Sequence, residues 1–290
     1  MFNYAFVYKL SVFVSRILPL WLVRHLGRSM AAICYIFCND ARLNVKRNLQ
    51  VVLVDSNKAK KGAWYLFLNY GTYLADWAKF FTMKTDKVIS KFTAIEGKEV
   101  VLEALSRRKG AIILTAHLGN WELGGIFFSN ANIPINVVTG LDEVLEVANI
   151  REQARVFHNI NTITLGSNIF SSIDIVRALD RNELVAMLID RYAKKGGIKI
   201  DFFGKPAYFP LGPVSLARVT GAAIIPAFTV MKKDGTYKAI AGPVIDMEFS
   251  DNENRDIVIN LTKIVSVFES HIKEHATQWY NFLPIWNQDK

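Results

Sequence analysis

The stretch Lys109-Gly110-Ala111-Ile112-Ile113-Leu114-Thr115-Ala116-His117-Leu118-Gly119-Asn120-Trp121-Glu122-Leu123-Gly124-Gly125 runs from an unbroken apolar segment, through a glycine turn, into a helical pattern. Ala111 to Ala116 has the length and β-branched content of a strand buried on both faces, as in a parallel sheet. Gly119 can bend the backbone, and Asn120 can cap the helix predicted over Trp121 to Asn130. Outward from this point the same alternation continues. Lys98 to Arg108 reads as a helix, Pro134 to Thr139 as a strand, Glu143 to His158 as a helix and Thr162 to Leu165 as a strand. Ile169 to Asp180, Leu184 to Ile189 and Ile198 to Phe203 follow as helix, strand and strand. Pro213 suits the first turn of a short helix that Gly221 can end, then come strands over Ala222 to Phe228 and Tyr237 to Ile245. A long amphipathic helix is predicted over Glu253 to Thr277. The fold class is therefore α/β, a mixed and largely parallel sheet flanked by helices.

Of 290 residues, 51% are apolar, 21% charged and 12% aromatic, which excludes disorder, collagen-like repeats and acidic solvating tracts. Lys plus Arg number 35 against 26 Asp plus Glu, a net charge of +9. An anionic partner is favoured, whether nucleic acid, a membrane surface or a phosphate-bearing substrate. Nothing in the chain matches a nucleic-acid-binding module, so no nucleic acid is expected. The two cysteines, Cys34 and Cys38, are too few for a disulfide framework or a Cys-rich zinc site, and read as small buried hydrophobes.

Tyr4 to Cys38 is nearly all apolar, but Lys9, Arg16, Arg24, His25 and Arg28 interrupt it before roughly 18 uncharged residues accumulate, so a spanning helix is not expected. On a regular helix Lys9, Arg16, Arg24 and Arg28 share an arc of roughly 120°, opposite a broad apolar face. Pro19 predicts a break into two amphipathic helices. They are expected either to lie in the headgroup plane with cations toward anionic phosphates, or to pack on the protein's own core. No cleavable signal peptide is recognised. Residues 40 to 92 read as helices, and the aromatic series from Trp64 to Phe81 is at helical spacing, suited to core packing or to an acyl groove.

His117 stands at a strand's carboxyl end, where sites form in open α/β sheets. Residues five apart on one helix point about 140° apart, so Glu122 can reach His117 only because a turn lies between them. A carboxylate on one ring nitrogen fixes the tautomer and leaves the other nitrogen to take a proton from a hydroxyl or amine. Spacing alone equally allows a satisfied core histidine beside an acid that favours a helix N-terminus.

Glu96-Gly97-Lys98-Glu99, Lys109 to Leu114 and His117-Leu118-Gly119-Asn120-Trp121-Glu122 together resemble the lipid A biosynthesis, or late, acyltransferase family, whose motif is H-x-x-x-x-D/E. The resemblance extends through Arg47-Asn48-Leu49, Arg155 before Thr162, Asp190, Gly196-Gly197, Phe202-Phe203-Gly204, Gly212-Pro213 and Gln278-Trp279. It implies a membrane-associated acyltransferase at the cytoplasmic face of the bacterial inner membrane. Residues 1–40 would form the membrane-facing extension and 41–290 the acyltransferase domain. The donor would be an acyl carrier protein or coenzyme A thioester, the acceptor a hydroxyl of a glycolipid such as a lipid A precursor, with no cofactor and no metal. An amine or another polar lipid as acceptor, or a non-catalytic basic membrane-binding protein, is the alternative. His117 would be the base and Glu122 its orienting carboxylate. Arg155, or backbone N–H groups at Gly119 and Asn120, would meet the oxyanion. Asp190 would hold Arg155 or position the acceptor, and Arg191, Lys194 and Lys195, with Lys199 and Lys205 nearby, would grip phosphates or an acidic carrier protein. Two departures bear on the acceptor: Arg191 stands where the family commonly has glutamine, and Pro284-Ile285 replaces arginines expected before Trp286.

Overall fold

The computed structural model of the chain describes residues 4–140, 145–166, 171–191 and 197–286. The chain breaks at Pro19 into α1 (Tyr4–Ile17) and α2 (Leu20–Phe37), with Pro19 as the residue that leads into the second helix. Two more helices follow, α3 (Asn39–Leu53) and the long α4 (Ser56–Phe80), whose start is capped by the Asp55 carboxylate. Helices α2 and α4 touch backbone to backbone: a Cβ on Gly27 would lie 2.4 Å from the Gly71 carbonyl oxygen. Beside this crossing Arg24 donates two hydrogen bonds to the fully buried Asp76, at 2.6 and 2.7 Å, and the Tyr237 hydroxyl bonds to the same carboxylate. Arg24 therefore faces the protein and not a headgroup layer, because a buried carboxylate without a cation is costly. α1 and α2 turn large apolar residues outward, including Phe13, Ile17, Trp21, Met30 and Phe37, together with the polar Lys9, Arg16 and His25. Cys34 is only partly buried and Cys38 exposed, contrary to the expectation of two buried hydrophobes.

A short α5 (Thr85–Ile89) leads into β1 (Phe92–Glu96), α6 (Lys98–Ser106), β2 (Ala111–Thr115), α7 (Trp121–Asn130), β3 (Ile135–Thr139), α8 (Leu145–Phe157) and β4 (Asn161–Thr164). Then come α9 (Ser171–Asp180), β5 (Leu184–Leu188), the hairpin β6 (Gly197–Phe202) and β7 (Lys205–Pro210), and α10 (Gly212–Thr220), which ends on Gly221 in the left-handed conformation. Strands β8 (Ala223–Met231) and β9 (Tyr237–Ala241) precede α11 (Glu253–Glu274). The main sheet has the order β1-β9-β8-β2-β5-β3-β4, parallel except where β9 runs against β8. Alternation divides the core: Ile112 and Leu114 of β2 join α9, α10 and α11, whereas Ala111 and Ile113 join α6 and α7 on the other face. The strands at 92–96 and 205–210 were not anticipated from the sequence. Both are half exposed and lack a continuous apolar run. Among the described residues no helix is long and apolar enough to cross a membrane.

Candidate active site

Strands β2 and β5 lie side by side in parallel register, with Thr115 opposite Leu188. The next residues to leave the sheet carry the site. Two positions beyond each of that pair stand His117 and Asp190, and His117 Nδ1 is 2.7 Å from Asp190 Oδ1. The same carboxylate accepts the backbone N–H of His117, at 3.0 Å to both oxygens, and the Trp279 indole N–H at 2.8 Å. Tyr280 N–H closes onto the His117 carbonyl at 2.8 Å, and the Asn281 amide reaches the Asp190 carbonyl at 3.3 Å, so the segment after α11 straps the dyad from behind. Trp121 lies edge-on to the imidazole with ring centroids 5.0 Å apart. The His117 side chain is 17% exposed and that of Asp190 is 0% exposed, so the dyad opens to the outside at the histidine. An imidazole donating Nδ1–H to a carboxylate carries its lone pair on Nε2.

The electrostatics fit a neutral base. Burial pushes His117 below its ordinary range, Asp190 works against that, and the guanidiniums of Arg191 and Arg151 add to it. For Asp190, burial alone would raise the carboxyl, but His117, Arg191 and the Trp279 N–H outweigh it and hold it below the usual range.

Glu122 does not reach His117. From the first turn of α7 it forms a two-pronged pair with Arg155 of α8, Nε to Oε2 at 3.1 Å and Nη2 to Oε1 at 2.7 Å. Burial would raise the Glu122 carboxyl, and Arg155 overrides it, bringing it down. The expected partners are thus exchanged: Asp190 orients His117, and Arg155 is held by Glu122 rather than by Asp190. Strand adjacency decides this, since it delivers Asp190 directly to the imidazole, while the rigid guanidinium fork matches the carboxylate on the neighbouring helix.

The backbone donors expected to meet an oxyanion are already used, Gly119 N–H by the Gln278 carbonyl at 2.9 Å and Asn120 N–H by the Thr229 carbonyl at 2.7 Å. Gly119 has φ +65°, and a Cβ there would lie 2.0 Å from the Thr229 oxygen, so the turn requires glycine. Asn120 precedes α7 but its buried side chain makes no capping hydrogen bond. Arg191 is partly buried behind Asp190 and donates to the Tyr280 carbonyl. Lys194 and Lys195 lie outside the described residues; Lys199 and Lys205 are exposed. Ile285 is buried and Trp286 stacks on Phe202, so neither fronts the site. Sequence reasoning missed Arg151, Asn281 and the hydrogen-bonding role of Trp279. The one available signal was Arg151 at four residues before Arg155, hence on the same helix face.

Two phosphatidylinositol mannoside acyltransferases are similar to this chain. That of Mycobacterium tuberculosis (strain CDC 1551 / Oshkosh) is 24% identical over 230 residues, 76% of this chain and 69% of the relative. That of Mycolicibacterium smegmatis (strain ATCC 700084 / mc(2)155) is 23% identical over 188 residues, 64% of this chain and 60% of the relative. The family described as bacterial lipid A biosynthesis acyltransferase matches residues 1–288. With a match over nearly its whole length, this chain belongs to the bacterial lipid A biosynthesis acyltransferase family and is an acyltransferase.

Proposed function

We propose that the protein transfers a fatty acyl chain from an acyl carrier protein or coenzyme A thioester to a sugar hydroxyl of a glycolipid, with His117 as general base. The His117–Asp190 pair at the ends of β2 and β5 is the observation that carries this reading. As the acceptor oxygen attacks the thioester carbonyl carbon, Nε2 takes the hydroxyl proton and Asp190 stabilises the imidazolium that forms. When the tetrahedral intermediate collapses, the C–S bond breaks and the imidazolium returns its proton to the departing thiolate. The products are an ester and a free thiol, and His117 is neutral again. No acyl-enzyme is invoked: the two cysteines of the chain both lie in the N-terminal helical region, away from His117. Glu122 acts as a positioning residue through Arg155.

The relatives are named for phosphatidylinositol mannoside and the family for lipid A biosynthesis, and both support a glycolipid acceptor. The outward apolar residues of α1 and α2, with exposed Lys9 and Arg16 beside them, support a protein lying on an anionic membrane surface, which in this reading is the cytoplasmic face of the inner membrane. A cavity of about 670 Å³ between α1, α2 and α4, lined by Val14, Ile33, Leu74, Tyr70 and Phe282, suits a hydrocarbon chain. From Tyr70 in its wall a run of ring contacts leads toward the imidazole: Tyr70 stacks on Tyr73, Tyr73 stacks on Trp121, and Trp121 lies edge-on to His117.

The test supplies radiolabelled palmitoyl thioester with phosphatidylinositol mannoside or lipid A precursor to the wild type and to His117→Ala. Acylated glycolipid from the wild type alone is expected. Equal product from both would remove His117 from the reaction.

A further inference from the structure

Away from the imidazole, a cavity of about 500 Å³ lies where the ends of α1, α4 and α8 meet. Arg16 and Lys79 line it with the Gln153 amide, Phe81, Met83 and Phe157 give it apolar walls, and no acidic residue faces it. Lys79 is fixed in place. From the last turn of α4 its ammonium donates to the Ser15 and Leu18 carbonyls at the end of α1, at 2.6 and 2.9 Å, and the buried Ser15 hydroxyl reaches the Ala78 carbonyl at 2.8 Å. Carbonyls at a helix C-terminus soften a positive charge without cancelling it, and these two take only two of the three N–H groups of an ammonium. Arg16, in the last turn of α1, is exposed and makes no hydrogen bond or ion pair among the described residues. Neither cation has a carboxylate partner there. Around them Phe13 and Ile17 of α1 and Phe157 of α8 stand exposed, so the charge is set among outward apolar side chains.

We propose that the cavity between α1, α4 and α8 seats the headgroup of an anionic phospholipid of the bilayer, with Arg16 and Lys79 on its phosphate. The proposal rests on the reading that α1 and α2 lie on a membrane surface. A guanidinium fork matches phosphate oxygens in pairs, Lys79 adds a fixed charge behind it, and the Gln153 amide adds a further donor. The apolar walls and rim suit the hydrocarbon that a lipid brings and a free phosphate lacks. A zwitterionic head would set its own ammonium against two cations, so an anionic one is selected. This lipid is not the acceptor: Asp190, Trp121, Trp279 and Tyr280, which touch His117 or its carboxylate, do not line the cavity. A headgroup seated there ties α1 and α4 to α8, the helix that carries Arg155.

The test titrates the full chain with dihexanoyl-phosphatidylglycerol, kept below the concentration at which it forms micelles, and reads Kd by calorimetry. Wild type and His117→Ala are expected to bind it alike and saturably, with dihexanoyl-phosphatidylcholine and glycerol phosphate each held at least about 10-fold more weakly. Arg16→Gln and Gln153→Glu, both at exposed positions, should each weaken phosphatidylglycerol binding by about 10-fold or more. Lys9→Gln removes another exposed cation of α1, one that does not line the cavity, and should leave the Kd unchanged. Lys79 is kept because its bonds hold the end of α1. Glycerol phosphate bound as tightly as the lipid would overturn the lipid in favour of a free phosphate. Equal losses in all three variants, or no saturable binding, would mean charge spread along α1 and would overturn the seat. Vesicles of equal parts phosphatidylcholine and phosphatidylglycerol separate the seat from the reading beneath it. Vesicle binding that persists with no hold on the monomeric lipid would keep the membrane reading and sink the seat; monomeric lipid held through Arg16 by a chain that ignores vesicles would sink the membrane reading and keep the seat.

Discussion

Two buried carboxylates sit in one patch of this protein, each paired with a nitrogen-bearing side chain, and they do different things. At the ends of β2 and β5, Asp190 gathers three kinds of N–H, and one of its donors, His117, remains partly open to the outside. Between α7 and α8, Glu122 and Arg155 consume each other, with side chains only 11% and 8% exposed. The first pair has an atom left over, Nε2, and is therefore equipped for proton transfer. The second pair works as a clamp: it fixes α8 against α7, and the turn of α8 before Arg155 carries Arg151 toward the imidazole. Histidine and glutamate of one six-residue motif thus belong to two separate devices.

The largest expected effect separates the devices by chemistry. His117→Ala is predicted to lower the acyl-transfer rate constant by about 10²–10⁴-fold in a single-turnover assay, with a stability loss of about 1–3 kcal/mol because it takes one donor from the buried Asp190. Glu122→Gln should instead show itself first in stability. Leaving the Arg155 charge without its carboxylate is expected to cost about 3–5 kcal/mol in urea unfolding, and Glu122→Leu combined with Arg155→Leu should recover most of it. If Glu122→Gln were as stable as wild type and as inactive as His117→Ala, the clamp reading would fail. A smaller effect tests the strap. Trp279→Phe removes one donor from Asp190, costing about 1–3 kcal/mol, and is expected to reduce activity without abolishing it.

The fold was legible where the chain writes buried strands plainly. Ala111 to Thr115 and Leu184 to Leu188 are continuous apolar runs, and Pro19, Gly119 and Gly221 mark their turns through backbone geometry that few other residues accept. His117 was legible for the same reason, as a polar residue at the end of such a run. Its partner was not. Asp190 is 73 residues away, and only the strand order, β2 beside β5 although five elements of the chain come between them, brings them together. Apolar alternation specifies which face a strand buries but not which strand it lies beside. Arg24 misled for a related reason. Its place on a cationic arc is a property of one helix, whereas its direction was set by Asp76 on another.

The finest discrimination between the two devices comes from pH. With His117 as the proposed base the neutral imidazole is the working form, so kcat/KM should fall as pH drops through the His117 pKa, and burial with Arg191 and Arg151 places that acid limb below about 6.5, the ordinary histidine value. Asp190 is the group that holds the imidazolium up. Asp190→Asn therefore removes a raising influence, and the residual activity of that variant is expected to keep its acid limb at a still lower pH. Arg191→Gln and Arg151→Gln remove lowering influences, and their acid limbs should move to higher pH. The clamp has no such lever, because Glu122 spends its charge on Arg155. In Glu122→Gln, assayed at a temperature where it remains folded, the limb is expected to stay at the wild-type position. A limb that moves as far with Glu122→Gln as with Asp190→Asn would mean that both carboxylates act on the imidazole, and the division into a dyad and a clamp would have to be abandoned.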